Sequence, residues 1–308
     1  RYLEQYLPAN MEYDQYRMRF ALTITGATGR PHLLKANGIV TELAENSFEV
    51  VMPDFYTGSS VYFHLFPAKH SFNTIQFSYS SIDGRQIPVD IYTIYDAQQF
   101  ADATRAILAE LERDYGAFPH EQLIVYGNAP SGGMEHSGAT ITSLSALGHE
   151  LFHCYHARGL MPANGNAGWM DEAIARWRDN QYPLSATVPY ESNRLAGHSP
   201  YLRMTNRMAY TEGSQFLSMM AYRMNANGLS FKAFLRDYFD KHKFTTVTTE
   251  LFQQEMATTM RADLSSEFDR YVYGRGVKKH KNLPLKYLDE DPNHPAYTKE
   301  QLLKLTWP

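Results

Sequence analysis

The sequence predicts an α+β fold with a β-rich part over residues 1–95 and a mostly helical part over residues 96–308. Up to residue 95, apolar and polar residues alternate in short runs that Gly, Pro, Asn or Asp interrupt, which is typical of strands. From residue 96, apolar residues recur at intervals of three and four, which is typical of helices. Several short strands at this spacing suggest that the first part is a sandwich or a saddle-like sheet.

The β-rich part contains five runs with strand-like patterns. These runs cover residues 16–24, 47–51, 60–66, 74–79 and 87–95. Asp83-Gly84 lies between the last two runs and is a strong signal for a hairpin turn. The last two runs are therefore expected to pair with each other.

Helical periodicity begins after Asp96, which forms a predicted capping box with Gln99, and continues to Gly116. A short apolar run at 123–126 predicts one buried strand within this part. From Ser143 onward the chain is expected to be mostly helical. Besides two helices near residues 150 and 172, helices are predicted at 207–226, 230–242, 249–260 and 264–273.

Composition limits the possible function classes. Hydrophobic residues make up 44% of the chain and aromatic residues 14%, so we expect a full core and not a disordered chain. The net charge of −4 argues against a nucleic-acid partner as the main role. No apolar run approaches the roughly 18 residues of a membrane span. The lone Cys154 excludes an internal disulfide, leaves the compartment undecided and is expected to be a buried thiol, not a metal ligand.

Two histidines, His149 and His153, stand four residues apart in this helical part. Residues four apart on a helix differ by about 40° around its axis, so both rings leave one face and can bind one zinc ion. Glu150 follows the first histidine, where its carboxylate can reach a water on that metal. The alternative is a helix with two structurally satisfied histidines, because the pattern alone is only moderately specific.

A catalytic zinc takes three protein ligands and keeps one position open. Glu172, which eighteen intervening residues separate from His153, can supply the third ligand. This gap allows the first helix to end, a loop to turn and a second helix to return past the metal. Arg158-Gly159 is expected to end the first helix. Asp171 remains an alternative ligand, although the spacing favours Glu172.

A glycine-rich stretch over residues 131–139 precedes the first histidine. It does not fit a phosphate-binding loop, because no Gly-Lys-Ser or Gly-Lys-Thr closes it. Gly132 and Gly133 instead suit a strand edge that a peptide can approach closely, with Glu135 projecting into the cleft. A plain turn is the alternative interpretation.

Tyr210 begins the sequence Tyr-Thr-Glu-Gly, which opens a helix after the predicted metal site. A tyrosine at such a position usually packs against its neighbours. Near a zinc ion, however, its hydroxyl can also donate a hydrogen bond to an oxyanion.

Taken in order, these motifs resemble those of the gluzincin metallopeptidases, and among them the zinc aminopeptidase family of aminopeptidase N and leukotriene hydrolase. Residues 132–136 are similar to the family motif Gly-x-Met-Glu-Asn, although His136 replaces Asn as in the glycyl aminopeptidases. Next come His-Glu-x-x-His, a glutamate after eighteen residues and Tyr-x-x-Gly. The resemblance implies a thermolysin-like zinc peptidase domain over residues 96–308, preceded by the latter part of a β domain, so that Arg1 is not expected to be the natural start.

The resemblance also implies a role for each motif residue. It implies one zinc ion on His149, His153 and Glu172, Glu150 as general base and acid, Tyr210 as oxyanion donor, and a peptide-binding edge at Gly132, Gly133 and Met134, where Glu135 recognises the free α-ammonium. The expected activity is hydrolysis of the N-terminal peptide bond of peptides by a water that the metal activates.

The chain departs from the family pattern at several positions. Only twelve residues separate His136 from His149, so a hairpin beside the cleft is expected to be missing, and the family's large C-terminal helical domain is not expected either.

Two other interpretations stay open: a zinc endopeptidase or other zinc hydrolase in which Glu135 only packs, and a non-catalytic peptide-binding relative. An intact general base speaks against the last reading.

Overall fold

A computed structural model describes residues 15, 17–162, 167–197, 205 and 207–275 of the chain. Within them the fold is α+β, as the sequence predicted. Strands predominate before residue 95, and helices predominate after residue 143. No helix in these ranges is both long enough and apolar enough to cross a membrane.

The first part forms two small antiparallel sheets. One has three strands, β1 (Arg19–Thr23), β4 (Ser47–Val51) and β3 (Ile39–Ala44), in the order β1-β4-β3. The other pairs β2 (His32–Ala36) with β5 (Phe63–Pro67). Neither β2 nor β3 was predicted. Strand β3 gave no signal in the sequence, because five of its six side chains are exposed and apolar and polar residues do not alternate along it.

A five-stranded sheet supports the rest of the fold. Its strands are β6 (Asn73–Ser80), β7 (Gln86–Thr93), β8 (Leu123–Gly127), β9 (Gly133–His136) and β10 (Ala139–Thr142), in the order β6-β7-β8-β10-β9. Strands β7, β8 and β10 are parallel, whereas β6 and β9 run antiparallel at the two edges. The hairpin of β6 and β7 turns through Gly84, as predicted.

The sequence placed the boundary between the two parts at residues 95 and 96. Strand β7 pairs with β8 along residues 89–93, and Ile87, Val89 and Ile91 belong to the same buried cluster as the helices. A division after residue 95 would therefore separate hydrogen-bonded strands of one sheet. We propose that the division lies before β6.

Helix bounds follow the sequence signals closely. The helices are α1 (Ala97–Tyr115), α2 (Leu147–His156), α3 (Trp169–Asp179), α4 (Ser214–Ala226), α5 (Phe231–His242), α6 (Thr249–Met260) and α7 (Ser265–Tyr271). Asp96 caps α1 by accepting a hydrogen bond from the backbone N–H of Gln98 at 2.8 Å. Ser230 caps α5 in the same way through Ala233. Such caps satisfy amide groups that have no partner within the helix.

The main core lies between the five-stranded sheet and the helices. It contains Leu108 of α1, Leu151 of α2 and Trp169 of α3, all nearly inaccessible to solvent. Cys154 is fully buried on α2, in agreement with the prediction of a buried thiol. Helix α2 contacts α1, α3 and β9, so the sheet and two helices fix the position of the segment that carries both histidines.

Glu112 of α1 is a fully buried carboxylate that joins the helix to the β6–β7 hairpin. It accepts hydrogen bonds from the Tyr79 hydroxyl at 2.9 Å and from the backbone N–H of Ile82 at 3.1 Å. It also accepts from the Ser81 hydroxyl and, at 2.8 Å, from the backbone N–H of Phe118. One side chain therefore satisfies two backbone donors that have no strand or helix partner.

Glu112→Ala is expected to lower the free energy of unfolding by about 3 kcal/mol, because one buried N–H group, one part-buried N–H group and two hydroxyls lose their acceptor. The matched control is Glu121→Ala, since Glu121 is an exposed glutamate whose ion pair with Arg85 lies on the surface. That control should cost about 0–1 kcal/mol. Urea unfolding of both variants measures the difference. Equal losses would mean that the Glu112 network contributes nothing beyond a surface contact.

Candidate metal centre and cleft

Helices α2 and α3 bring three predicted metal ligands together. His149 and His153 leave one face of α2, and Glu172 lies in the first turn of α3. The Nε2 atoms of the two histidines are 3.1 Å apart. Oε2 of Glu172 lies 3.1 Å from Nε2 of His149 and 3.5 Å from Nε2 of His153. The three donor atoms therefore form a small triangle.

The triangle has the size that a tetrahedral zinc ion requires. Zinc bonds of about 2.0–2.1 Å to nitrogen and oxygen place neighbouring ligands about 3.3–3.4 Å apart in a tetrahedron. The three observed separations lie between 3.1 and 3.5 Å. Two histidines and one glutamate also form a known ligand set of catalytic zinc sites with one open position. The residues present therefore fit one zinc ion.

The electrostatics of the triangle favour a positive charge at its centre. Burial alone would lower the pKa of His149, but hydrogen bonds to Asp179 and Glu172 raise that pKa to about 9. Burial opposes the protonation of His153 as well, yet the Glu172 carboxylate raises the pKa of His153 to about 10. Glu172 is buried too, but the two histidines hold the pKa of its carboxyl far below the usual range. A bound cation can take the place of the protons that this field retains.

Asp179 is a functional candidate that the sequence analysis missed. Its Oδ2 lies 2.7 Å from Nδ1 of His149, and Arg178 donates to its other oxygen. A carboxylate on Nδ1 fixes the ring so that Nε2 carries the lone pair toward a metal. The signal was available, because Asp179 follows Glu172 by seven residues and so lies on the same face of α3.

The structure does not bring Asp171 to the histidines. Asp171 is buried, and its Oδ1 accepts a hydrogen bond from the backbone N–H of Glu172 at 2.6 Å. Burial and the neighbouring Glu172 charge raise the pKa of Asp171 well above its usual value. Of the two acids considered from the sequence, only Glu172 lies within reach of both ring nitrogens.

Glu150 lies beside the triangle and is 5% exposed. Burial raises the pKa of its carboxyl to about 7, while the charge of His153 opposes this rise and that of Glu135 adds to it. A carboxyl whose pKa lies near neutrality can both accept and return a proton at physiological pH. The role of Glu150 as general base stays a prediction, with which this pKa is compatible.

Gly133 gives the glycine-rich stretch a role that the sequence did not suggest. A Cβ atom at this position would lie 2.6 Å from Cγ of Glu150 and 2.7 Å from the carbonyl oxygen of Ile141. Only a residue without a side chain leaves room for Glu150 there. Gly132 differs, because its φ of +68° places it in a left-handed turn and nothing lies within 4 Å of an added Cβ.

The stretch from Gly133 to His136 is strand β9, which forms one edge of the five-stranded sheet. Met134 and Glu135 are half-buried on this strand, which pairs with β10 on one side only. Of the residues predicted to receive a peptide, Gly133, Met134 and Glu135 lie on this edge strand, whereas Gly132 precedes it. An edge strand is the type of strand to which a peptide can add.

Glu135 faces the metal ligands and also makes an ion pair. Its carboxylate oxygens, those of Glu150 and the ring nitrogens of His153 include donor atoms that lie within 4.8 Å of one another. Oε1 of Glu135 accepts a hydrogen bond from Nη2 of Arg158 at 2.8 Å. Burial raises the pKa of Glu135, but the charges of Arg158 and His153 outweigh it and leave the pKa below its usual value. Glu135 is thus an ionised carboxylate in the cleft.

Tyr210 lies in a short π-helix, Ala209–Gly213, that leads into α4. Its hydroxyl donates to Oε1 of Glu172 at 2.5 Å, and its ring stacks near His149 with centroids 6.4 Å apart. Burial and the Glu172 charge raise the pKa of the phenol far above its usual value. The hydroxyl therefore remains a proton donor beside the metal ligands.

Solved structures show which fold this chain shares. The M1 zinc metallopeptidase from Deinococcus radiodurans matches with 16% identity and a TM-score of 0.64, over 89% of this chain and 68% of that chain. Legionella pneumophila aminopeptidase A matches with 16% identity and a TM-score of 0.60, over 84% of this chain and 34% of that chain. Yeast LTA4 hydrolase matches with 14% identity and a TM-score of 0.57, over 89% and 49% respectively.

The chain therefore has the fold of the M1 zinc metallopeptidases and LTA4 hydrolase. It spans about a third of the Legionella enzyme's length, about half of the yeast enzyme's and about two thirds of the Deinococcus enzyme's. No protein-family model matches the sequence. A search of curated protein sequences also found no match.

Replacement of the acids around the triangle should rank them by their role in metal binding. Glu172→Ala removes a predicted ligand and should lose most of its zinc, whereas Asp171→Asn keeps the side-chain oxygen that accepts from the backbone N–H of Glu172 and should retain the zinc. Asp179→Asn should weaken zinc binding about 10–100-fold, because only the support of His149 changes. Zinc content after dialysis against a graded chelator measures all three. A greater loss of zinc from Asp171→Asn than from Glu172→Ala would show that Asp171, and not Glu172, is the ligand.

Proposed function

We propose that this chain is the catalytic part of a zinc aminopeptidase related to the M1 metallopeptidases, and that it removes the N-terminal residue of peptides. The observation that carries the proposal is the short distance between Glu135 and Glu150, whose carboxylates lie within 4.8 Å of one another beside His153. In a peptide the α-nitrogen is only about 2.5 Å from the first carbonyl carbon. The residue that binds the ammonium must therefore lie near the residue that activates the water, as Glu135 lies near Glu150.

The remaining geometry is consistent with this chemistry. A zinc ion held by His149, His153 and Glu172 would act as a Lewis acid on the scissile carbonyl and would lower the pKa of a water molecule. Glu150 takes the proton from the attacking water and then delivers it to the leaving amine. Its pKa of about 7 suits both transfers near neutral pH.

Tyr210 serves as a hydrogen-bond donor to the oxyanion that forms at the scissile carbonyl. Its raised pKa keeps the phenol proton in place. Because the hydroxyl donates to Glu172 in this structure, it must turn from that carboxylate toward the substrate during the reaction. One such donor is worth about 2.7–4 kcal/mol of transition-state stabilisation in comparable sites.

Strand β9 receives the substrate in extended form. An edge strand offers backbone N–H and C=O groups that can pair with a peptide, so that side chains alternate between the cleft and the sheet edge. A variant of the Deinococcus radiodurans enzyme has been solved with a Tyr-Ser-Ala substrate, and that enzyme shares this fold. Peptides with a free N-terminus are thus the proposed substrates.

One observation favours a second candidate, a zinc endopeptidase. Arg158 already pairs with Glu135, so this carboxylate has a cationic partner in the absence of any substrate. If that pair were purely structural, Glu135 would not anchor an ammonium, and an internal peptide bond could lie across the metal. The two candidates differ in how they treat a peptide whose amine is blocked.

A matched pair of peptides, one free and one N-acetylated, distinguishes these candidates. The parent should cleave the free peptide far better, because only that peptide offers Glu135 a positive charge. Glu135→Gln should cost about 2–5 kcal/mol in kcat/KM for the free peptide and little for the acetylated one. The contrasting variant, Tyr210→Phe, should slow both peptides alike, chiefly through kcat. Equal cleavage of both peptides by the parent would identify an endopeptidase.

Gly133→Ala should abolish most turnover with the metal still bound, because the new Cβ displaces Glu150 from its position. We expect kcat to fall at least about 100-fold, as it should for Glu150→Gln. Gly168→Ala is a suitable control, since an added Cβ there meets only the Thr205 hydroxyl at an ordinary 3.7 Å. Zinc content and kcat of the three variants provide the measurement. Near-parent turnover in Gly133→Ala would show that Glu150 tolerates displacement and is not the base.

A further inference from the structure

Arg158 is a buried arginine beside the cleft to which the catalytic scheme assigns no role. Only 2% of its surface is exposed. It follows the C-terminal end of α2, where its backbone N–H donates to the carbonyl oxygen of His153 at 2.8 Å. The next residue must be glycine, because a Cβ at Gly159 would lie 2.7 Å from the carbonyl oxygen of Cys154. The tight turn fixes Arg158 relative to the helix that carries both histidines.

The guanidinium of Arg158 connects two other elements to this helix. Nη2 donates to Oε1 of Glu135 on β9 at 2.8 Å. Nη1 donates to the hydroxyl of Ser59 at 2.7 Å. Ser59 belongs to a short 3-10 turn, Gly58–Ser60, that lies in the first part of the chain and is buried. The Arg158 side chain therefore connects Glu135, which is predicted to bind the α-ammonium, to helix α2 and to the β-rich part.

The same segment of the β-rich part also supports the strand that carries Glu135. The backbone N–H of Ser137, at the end of β9, donates to the carbonyl oxygen of Ser60 at 3.1 Å. The carbonyl oxygen of Ser137 accepts from the Asn37 amide at 2.7 Å and from the Tyr56 hydroxyl at 2.9 Å. The β-rich part therefore makes hydrogen bonds to the backbone at the end of β9 and, through Arg158, contacts the side chain of Glu135.

We propose that Arg158 is a positioning residue for substrate recognition: by occupying one oxygen of Glu135, it holds the other oxygen toward the cleft, where it receives the α-ammonium of a peptide. The inference rests on the proposed aminopeptidase function. An unsupported glutamate side chain has several rotamers and must be ordered when substrate binds, whereas a preorganised one is ordered beforehand. The arginine also offsets the repulsion between two carboxylates, Glu135 and Glu150, that share the cleft.

This role predicts a selective effect on binding. In the full-length, zinc-loaded protein with Glu150→Gln, which binds peptides without cleaving them, Arg158→Met should weaken binding of a free tripeptide amide about tenfold or more. Binding of its N-acetylated twin should be unchanged, and zinc content should equal that of the parent. Arg158→Lys keeps a cation beside Glu135 and should recover part of the loss. Titration calorimetry with the two peptides provides the dissociation constants.

Ser59→Ala is a milder test that leaves no buried charge unpaired. It should weaken binding of the free peptide a few-fold with the same selectivity, and it serves if Arg158→Met does not fold. If Arg158 acts through Glu135, adding Arg158→Met to Glu135→Gln should produce no further selective loss.

Three outcomes overturn the inference, and they differ from failure of the proposed function. Equal losses for both peptides would give Arg158 a general structural role, and no loss for either would leave Glu135 positioned without it. A full additional loss on top of Glu135→Gln would show that Arg158 acts independently of that residue. If instead the Glu150→Gln parent binds both peptides equally, the aminopeptidase function fails, and the inference fails with it.

Discussion

The packing of α2 against α3 is the constraint on which the rest of the site depends. It places two histidine nitrogens and one carboxylate oxygen 3.1–3.5 Å apart in a largely buried position. Such a group of buried donors requires positive charge beside the Glu172 carboxylate, which protons on the histidines or a bound cation can supply. Around this triangle, Asp179 lies 2.7 Å from Nδ1 of His149, and Glu150 lies beside His153. The other proposed roles belong to side chains that lie near this triangle.

The charge balance in the cleft is local, because acidic side chains lie beside cationic or protonatable partners. Arg158 pairs with Glu135, whereas His149 and His153 pair with Glu172. This arrangement separates two tasks. In the proposed function the triangle binds the metal cation, and the Glu135–Arg158 pair provides an ionised carboxylate for a peptide ammonium. The proposed specificity for a free N-terminus thus depends on the Glu135 carboxylate, which Arg158 contacts.

The β-rich part contributes to the site although it supplies none of the proposed ligands. Its 3-10 turn, Gly58–Ser60, and Asn37 hold the end of β9 by hydrogen bonds, and Ser59 contacts Arg158 directly. In the folded protein the end of the edge strand is therefore hydrogen-bonded to the β-rich part. This explains physically why a β-rich part accompanies a metal site that lies on two helices.

The sequence by itself determined the fold class, most helix bounds and the metal triangle, because periodicity and a fixed spacing encode them locally. His149 and His153 are neighbours on any helix, and the eighteen-residue gap to Glu172 suits a helix that returns. Only the tertiary structure decided the contacts between distant segments. The sequence could not show that Gly133 makes room for Glu150, that Arg158 is more than a helix stop, or that β7 joins β8. These facts depend on which segments meet across the fold, and side-chain patterns within one segment carry no record of that.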